Sequence, residues 1–187
     1  MGSWVINHGI TDIDYDAFQK VVDESEQKKT SVYEKKSYIA TRQGDQKEIT
    51  DKCAVWYKHS SYGYKIKNEK FRSFFLDSFF EKYKMKPYPV DIIVWRFEPG
   101  QFTPPHLDNM ETFKEMYGIN DNNITRIWIS LSEPAFGHAL MVGKDQVAYN
   151  LPRGTTLQID FINELHSGVN GGITDRYLIT ITGVKIG

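Results

Sequence analysis

The chain has 187 residues, of which 40% are hydrophobic and 25% are charged, and its formal net charge is −1. This length suits one domain with a substantial core and is short for two, so we expect a single domain over residues 1–187. A nearly neutral chain offers no strong field for a nucleic-acid partner. The sequence shows no bilayer-spanning apolar run and no signal peptide, and Cys53 is its only cysteine. We therefore expect no membrane association and a cytoplasmic location.

Residues 1–88 are predicted to form a helical and extended support region. Apolar side chains recur at helical spacing between residues 14 and 27, behind a run of aspartates that suits a helix N-terminus. A second helix is predicted over 68–83, where five phenylalanines form one apolar stripe and Asn68 is a candidate cap. The stretch 28–66 predicts only short strands or extended loops.

After Pro89 the sequence changes to short β-rich runs separated by turns that contain glycine, proline or asparagine. The predicted strands are 91–97, 102–108, 126–131, 139–142, 155–161 and 177–184. So many short strands favour a barrel or a two-sheet sandwich. Residues 89–187 are therefore expected to form the β core of a mainly β, α+β fold, with the N-terminal helices buttressing one sheet.

The segment 109–123 has two interpretations. It follows directly after two of the candidate metal ligands described next, where a lid that excludes water would be useful. Its apolar residues, among them Phe113 and Met116, fit an amphipathic connecting helix equally well.

Two histidines and one aspartate form the most informative pattern in the chain. His106 and Asp108 are two residues apart, so in a strand both side chains would point to the same face. His166 comes from a distant predicted strand end, which a barrel can bring opposite the first pair. Two imidazoles and one carboxylate are the ligands of a non-haem Fe(II) site that keeps open positions.

An arginine follows on the last predicted strand. Arg176 heads a face that continues with Leu178 and Thr180, whereas the opposite face is aliphatic and suited to packing against helices. A buried guanidinium needs a partner, and the distal carboxylate of a dicarboxylic keto acid would bind it through two hydrogen bonds. We therefore predict Arg176 as the anchor of a dicarboxylic keto-acid co-substrate.

These motifs, in this order, resemble the Fe(II)- and 2-oxoglutarate-dependent dioxygenases. Residues 95–108 look like that family's strand, Pro-Gly turn and His-x-Asp strand, and residues 154–178 look like its distal-histidine and arginine segment. The resemblance covers about residues 88–184 and is closest to the prolyl-hydroxylase-like and aspartyl/asparaginyl-hydroxylase-like branches. It implies a double-stranded β-helix core of the jelly-roll or cupin type. It also implies that His106, Asp108 and His166 bind iron and that Arg176 binds 2-oxoglutarate.

The sequence departs from these branches at three positions. Many prolyl-hydroxylase-like members have a tyrosine where Phe97 stands and a lysine where Arg176 stands, and the Arg-x-Ser pattern of another branch fails at Leu178. Another residue must then supply a hydroxyl or ring contact to the co-substrate. The candidates are Tyr149, Ser130, Thr180 and Trp128. Arg126 is a rival anchor, for which we favour a salt bridge at the rim or a substrate contact.

The expected function is an Fe(II)- and 2-oxoglutarate-dependent hydroxylase that uses O2 and releases succinate and CO2. Its substrate would be a peptidyl residue such as proline, or a free small molecule similar to an amino acid. A cupin-like metal-binding or isomerase domain without oxygen activation is the alternative. A zinc hydrolase would also use these ligands, but it leaves Arg176 without a role.

Overall fold

A computed structural model describes residues 5–27, 31–32, 63–103, 105–108, 110–120, 123–144, 146–159 and 163–186. Helix α1 spans Tyr15–Gln27, close to the predicted range. Its first turn is capped by Asp14, whose Oδ1 accepts a hydrogen bond of 2.9 Å from the amide of Ala17. None of the helices in these ranges is long and apolar enough to cross a membrane.

The second predicted helix is two shorter elements. A 3-10 helix spans Glu69–Phe74, and helix α2 spans Asp77–Lys82. Asn68 caps the first one as expected, since its side chain accepts from the amide of Lys70. Phe75 and Leu76 between the two elements are extended, which changes the direction of the chain while Phe75 stays buried.

In the part of the chain that the structure describes, ten strands form two antiparallel sheets. Seven lie in a large sheet in the order β1-β8-β5-β10-β4-β3-β2, and three lie in a small sheet in the order β7-β6-β9. Their bounds are β1 Val5–Ile10, β2 Ser31–Val32, β3 Tyr64–Ile66, β4 Met85–Phe97, β5 Ile124–Ser130, β6 His138–Val142, β7 Gln146–Tyr149, β8 Thr155–Ile159, β9 His166–Asn170 and β10 Arg176–Lys185. The fold is the predicted jelly roll of the cupin type, buttressed by helices.

Strand β10 lies at the centre of the large sheet and separates two cores. Its outer residues Ile179 and Ile181 pack with Phe18, Phe71 and other side chains of the helices. Its inner residue Leu178 packs between the two sheets with the inner faces of β5, β6 and β8. The predicted alternation of this strand is thereby confirmed.

The prediction of a strand over 102–108 is wrong for most of its length. Only Phe102 and His106 make isolated bridges, to Val169 and His166 of β9. Pro104 and Pro105 have no amide hydrogen to donate to a ladder. The segment therefore follows the edge of the small sheet without forming a regular strand.

The interpretation of 109–123 as a connecting helix agrees with helix α3, which spans Glu111–Tyr117. Phe113 on this helix is buried among the residues of the inter-sheet core. The lid hypothesis concerns motion and stays a prediction. Strands β1, β2, β3, β7 and β9 were not predicted individually. Residues 28–30 and 33–62 of the stretch 28–66 lie outside the described residues.

Candidate metal centre and its cavity

His106, Asp108 and His166 lie together between the two sheets. Each side chain offers one ligand atom, and these atoms all lie within 4.8 Å of one another. Nε2 of His106 is 3.5 Å from Oδ1 of Asp108, and Nε2 of His166 is 3.4 Å from Oδ2. Two imidazoles and a carboxylate converging at this spacing suit a divalent transition-metal ion such as Fe(II) or Zn(II).

The backbone holds the two histidines side by side. The amide of His106 donates to the carbonyl of His166 over 3.1 Å, and the amide of His166 donates back over 3.0 Å. Their ring centroids are 4.3 Å apart. The pair of reciprocal hydrogen bonds thus ties the irregular segment that carries His106 and Asp108 to the start of β9.

The orientation of His166 fits a metal ligand. Its Nδ1 lies 3.1 Å from the carbonyl oxygen of Glu164, a geometry in which Nδ1–H donates to that oxygen. A metal ion would then be bound through Nε2, the atom that faces Asp108.

Asp108 is an anion in this setting. Burial alone would raise the pKa of Asp108, but Arg126, His166 and His106 outweigh it and hold that pKa well below its usual range. Nη1 of Arg126 donates to Oδ2 of Asp108, and Nε of Arg126 donates to Oγ1 of Thr182 over 2.8 Å. Arg126 therefore contacts a candidate metal ligand inside the fold, whereas we had favoured a rim position for it.

A cavity opens beside the three candidate ligands. Its wall consists of Lys65, Ile93, Trp95, Phe97, Thr103, His106, Asp108, Arg126, Trp128, His166, Leu178 and Thr180. Of the predicted co-substrate contacts, Trp128 and Thr180 line this cavity. The ring of Trp128 meets that of His166 edge to face at 5.8 Å, and Thr180 Oγ1 accepts from Trp95 Nε1 over 3.2 Å.

The structure does not bring Tyr149 or Ser130 to this wall. Tyr149 lies on the edge strand β7 with 67% of its surface exposed. Ser130 donates its hydroxyl hydrogen to the carbonyl of Ser132 over 3.2 Å. Its position at the end of β5 favours this local bond, so neither residue is placed to contact a ligand in the cavity.

Arg176 lies directly behind the cavity wall. Only 7% of its surface is exposed, and its Nη1 donates to the carbonyls of Ala139 at 2.5 Å and Val169 at 3.0 Å. Burial lowers the pKa of Arg176 to about 10, which leaves the guanidinium charged at neutral pH. No carboxylate among the described residues forms a salt bridge with it. Neutral carbonyls thus solvate a buried cation that has no counter-charge within the described part of the chain.

Gly168 opens the space between Arg176 and the cavity. A Cβ atom at Gly168 would lie 3.5 Å from Cζ of Phe97, 3.7 Å from Oγ1 of Thr103 and 3.8 Å from Nη1 of Arg176. Phe97 and Thr103 belong to the cavity wall. The Arg176 guanidinium therefore adjoins the cavity at Gly168, the residue of β9 that has no side-chain carbon.

Sequence reasoning missed two polar residues of the wall. The hydroxyl oxygen of Thr103 accepts from the amide of Gly168 over 2.8 Å, so its own hydrogen is available for a further acceptor. Lys65 comes from the short strand β3, with Nζ 4.9 Å from the centroid of the Trp95 ring. Thr103 could have been found from its position three residues before His106, whereas three residues of alternation at 64–66 are too few to assign a strand.

His138 is buried at the start of β6, with Nε2 3.3 Å from the carbonyl oxygen of Thr174. Burial and the nearby charge of Arg176 lower the pKa of His138, although the Thr174 carbonyl opposes the shift.

Comparison with solved structures finds a full-length match. A viral collagen prolyl hydroxylase from Paramecium Bursaria Chlorella virus-1, solved with 2-oxoglutarate, matches 100% of this chain and 98% of its own at a TM-score of 0.50 and 14% identity. A predicted oxalate decarboxylase from Thermotoga maritima matches over 65% of this chain and 80% of its own, at a TM-score of 0.37 and 14% identity. A cupin protein from Desulfovibrio desulfuricans matches over 50% of this chain and 71% of its own, at a TM-score of 0.34 and 18% identity.

No protein-family model and no curated protein sequence matches this chain. At 14% identity, the full-length match to the viral enzyme shows a shared fold. The chain has a double-stranded β-helix fold, and activity must be argued from the site itself.

Proposed function

We propose that this protein is an Fe(II)- and 2-oxoglutarate-dependent oxygenase that hydroxylates a C–H bond of a peptidyl residue or of a free molecule similar to an amino acid. The observation that carries the proposal is the buried Arg176 beside the His106, Asp108 and His166 cluster. A metal-binding domain without a co-substrate has no use for a desolvated guanidinium that has no carboxylate partner among the described residues. A dicarboxylate co-substrate gives that charge a partner.

The side chains present fit the metal. Nε2 of His106, Nε2 of His166 and a carboxylate oxygen of Asp108 would hold it, because these atoms already converge and Asp108 is ionised. Three protein ligands on one side leave positions for other groups. When bound, Fe(II) with 2-oxoglutarate and O2 supplies the oxidising power for hydroxylation, with succinate and CO2 as co-products.

The side chains around Arg176 fit the co-substrate. We assign the distal carboxylate of 2-oxoglutarate to the Arg176 guanidinium, reached across the space that Gly168 leaves open. We propose that the hydroxyl of Thr103 donates to the same carboxylate, a role that the phenyl ring of Phe97 cannot perform. The Phe97 and Leu178 side chains keep water from this end of the cavity, which strengthens each polar contact there.

Arg126 would act on Asp108. Its hydrogen bond to one carboxylate oxygen orients the group and leaves the other oxygen for the metal. Its second bond, to Thr182 on β10, fixes the guanidinium against the large sheet. Arg126 is thus proposed as a positioning residue, and Arg176 as the co-substrate anchor.

The test is turnover and binding by the purified full-length chain. Protein loaded with Fe(II) is expected to form succinate from 2-oxoglutarate in the presence of O2, and a panel of proline peptides and free amino acids is expected to contain a stimulating substrate. The His106→Ala variant should lose both succinate formation and Mn(II) binding measured by calorimetry. His8→Asn is the matched control, because His8 bonds Gln158 on the far side of the large sheet.

Two results would refute the proposal. One is metal binding by the wild type with no measurable affinity for 2-oxoglutarate, the behaviour of a cupin-like domain without oxygen activation. The other is a zinc-supported reaction that proceeds without 2-oxoglutarate.

A further inference from the structure

Arg176 is the first residue of β10, so the direction of its side chain depends on how that end of the strand is fixed. The ladder with β4 begins at Arg176, opposite Phe97, whereas the ladder with β5 begins only at Leu178. Strand ends open more readily than strand centres. The contacts of the turn 171–175, between β9 and β10, therefore decide how firmly Arg176 is held.

Arg96 on β4 holds the residue directly before Arg176. Its Nε donates to Oδ2 of Asp175 over 2.9 Å, and its Nη2 lies 2.8 Å from the same oxygen. Arg96 is opposite Tyr177, which packs against the helices, so both side chains lie on the outer face of the large sheet. There Nη1 of Arg96 donates to Oε1 of Glu26, at the end of α1, over 3.2 Å. The three charged groups are partly buried, so solvent screens them less than it screens a surface ion pair.

Asn170, the last residue of β9, holds the same turn. It is fully buried, and its Nδ2 donates to the carbonyl of Phe97 over 2.7 Å and to that of Thr174 over 2.8 Å. Its Oδ1 accepts from the amide of Gly172 over 3.0 Å. Asn170 thus fixes the body of the turn to the end of β4, and Arg96 fixes the last residue of the turn to the same strand.

The two ends of Arg176 are held by different sheets. Its guanidinium donates to carbonyls of β6 and β9 in the small sheet, whereas its backbone pairs with β4 in the large sheet. A shift of the backbone at the turn would pull the guanidinium from those carbonyls or turn it from the space beside Gly168. A contact that gives two hydrogen bonds to one carboxylate tolerates little displacement of this kind.

We infer that Arg96 is a positioning residue for the co-substrate, because its ion pair with Asp175 sets the place of Arg176 at the end of β10. This inference rests on the proposed function and adds to it a residue on the opposite face of the sheet from the cavity. Arg96 acts through Asp175 and the strand end. The bond from Arg96 to Glu26 extends the same support to α1.

The experiment separates the distal carboxylate from the rest of the co-substrate. Calorimetry on the Mn(II)-loaded full-length chain compares 2-oxoglutarate with 2-oxopentanoate, which has a methyl group in place of the distal carboxylate. The ratio of the two affinities measures what the anchor of that carboxylate contributes. For the wild type we expect 2-oxoglutarate to bind about 100-fold or more tightly than 2-oxopentanoate, as two charge-assisted hydrogen bonds imply.

Arg96→Met and Asp175→Ala should each reduce that ratio about tenfold, because a displaced guanidinium loses one of its two bonds to the carboxylate. The affinities for 2-oxopentanoate and for Mn(II) should stay within about threefold of wild type, which a general loss of structure would not allow. Asp175→Asn keeps an oxygen that accepts from Arg96 and should retain most of the ratio.

A second background shows whether Asp175 acts through Arg176. In Arg176→Met the anchor is already removed, so adding Asp175→Ala should change the affinity for 2-oxoglutarate by less than about threefold. The matched control is Asp16→Ala, which removes another ion pair of α1, with Arg153, at the opposite end of that helix. Asp16→Ala should leave the ratio of the two affinities at its wild-type value.

A wild-type ratio in both Arg96→Met and Asp175→Ala would overturn the inference. So would an equal loss of affinity for both ligands, since the variants would then disturb the metal site and not the anchor. A further tenfold loss from Asp175→Ala in the Arg176→Met background would also overturn it, because Asp175 would then act independently of Arg176. These failures leave the wild-type preference for 2-oxoglutarate intact. A wild type that binds 2-oxoglutarate no more tightly than 2-oxopentanoate would instead refute the anchor and the proposed function with it.

Discussion

Replacing Arg176 by methionine tests the anchor of the co-substrate most directly. Methionine keeps an unbranched chain of similar reach but removes every donor. The guanidinium would give two charge-assisted hydrogen bonds to a carboxylate, each worth about 1.5–3 kcal/mol. Nη1 already donates to the carbonyls of Ala139 and Val169, so we take the lower end and expect a loss of about 3–4 kcal/mol.

That loss corresponds to a roughly 100- to 1,000-fold weaker affinity for 2-oxoglutarate. Calorimetry with Mn(II)-loaded protein measures it, and Mn(II) affinity itself should stay within about threefold, because Arg176 contacts none of the candidate metal ligands. The thermal stability of Arg176→Met is measured beside the titration, because the carbonyls of Ala139 and Val169 lose their hydrogen-bond donor in this variant.

Arg126→Met is the informative comparison, because Arg126 is the rival anchor. We expect it to weaken Mn(II) binding, through the loss of its bond to Asp108, more than it weakens binding of 2-oxoglutarate. The assignment of Arg176 is refuted if Arg176→Met binds 2-oxoglutarate within about threefold of wild type. A larger loss of 2-oxoglutarate affinity in Arg126→Met than in Arg176→Met would move the anchor to β5.

Three further predictions concern neighbouring parts of the fold. Gly168→Ala should bind 2-oxoglutarate with the affinity of the wild type. Gly168→Val places a methyl group between the cavity and Arg176 and should weaken 2-oxoglutarate binding about tenfold or more without affecting Mn(II) binding. Equal affinities of the two variants for 2-oxoglutarate would contradict the proposed route from the cavity past Gly168 to Arg176. Phe71→Ala should lower the free energy of unfolding by about 3–5 kcal/mol, because Phe71 is fully buried, and Phe136→Ala, at an exposed position, by less than about 0.5 kcal/mol. The lowered pKa of His138 means that the unfolded chain binds the proton more readily than the folded chain does. The free energy of unfolding should therefore fall as the pH drops below about 6.5, by at most about 1.4 kcal/mol per pH unit. Chemical denaturation should show a smaller pH dependence for His138→Gln, and an unchanged pH dependence would assign it to other groups.

The local pattern of the sequence was enough to predict the fold class and most strands of the β core. Alternation on β10 is strong because the strand is ten residues long and each face meets a different core. The predicted helix over 68–83 failed in one respect. A stripe of phenylalanines satisfies packing whether the chain is one helix or two, so spacing alone could not locate the extended residues Phe75 and Leu76.

The three candidate metal ligands were predicted as a group because each occurs beside a recognisable turn or strand. The co-substrate contacts were harder to predict from the sequence. Tyr149 and Thr180 both lie on strands, and only the packing of the two sheets decides which of them faces the cavity. Lys65 lies beyond the reach of sequence reasoning. Its place on the wall depends on β3 joining β4 across the edge of the large sheet, a long-range pairing that a three-residue strand does not indicate.

The isolated bridges of residues 102–106 have a consequence for how quickly the protein exchanges its metal. His106 and Asp108 lie on a segment whose backbone hydrogen bonds to the sheets go to one strand, β9, whereas β10 is paired along both edges. Local opening of that segment breaks its bonds to β9 and the ion pair between Asp108 and Arg126 but leaves β10 paired, so it should occur more often than global unfolding. The ion would then be able to enter and leave through this opening while the large sheet stays folded. Bound metal should in turn slow hydrogen exchange at the amide of His106 and leave the amides of β10 unaffected.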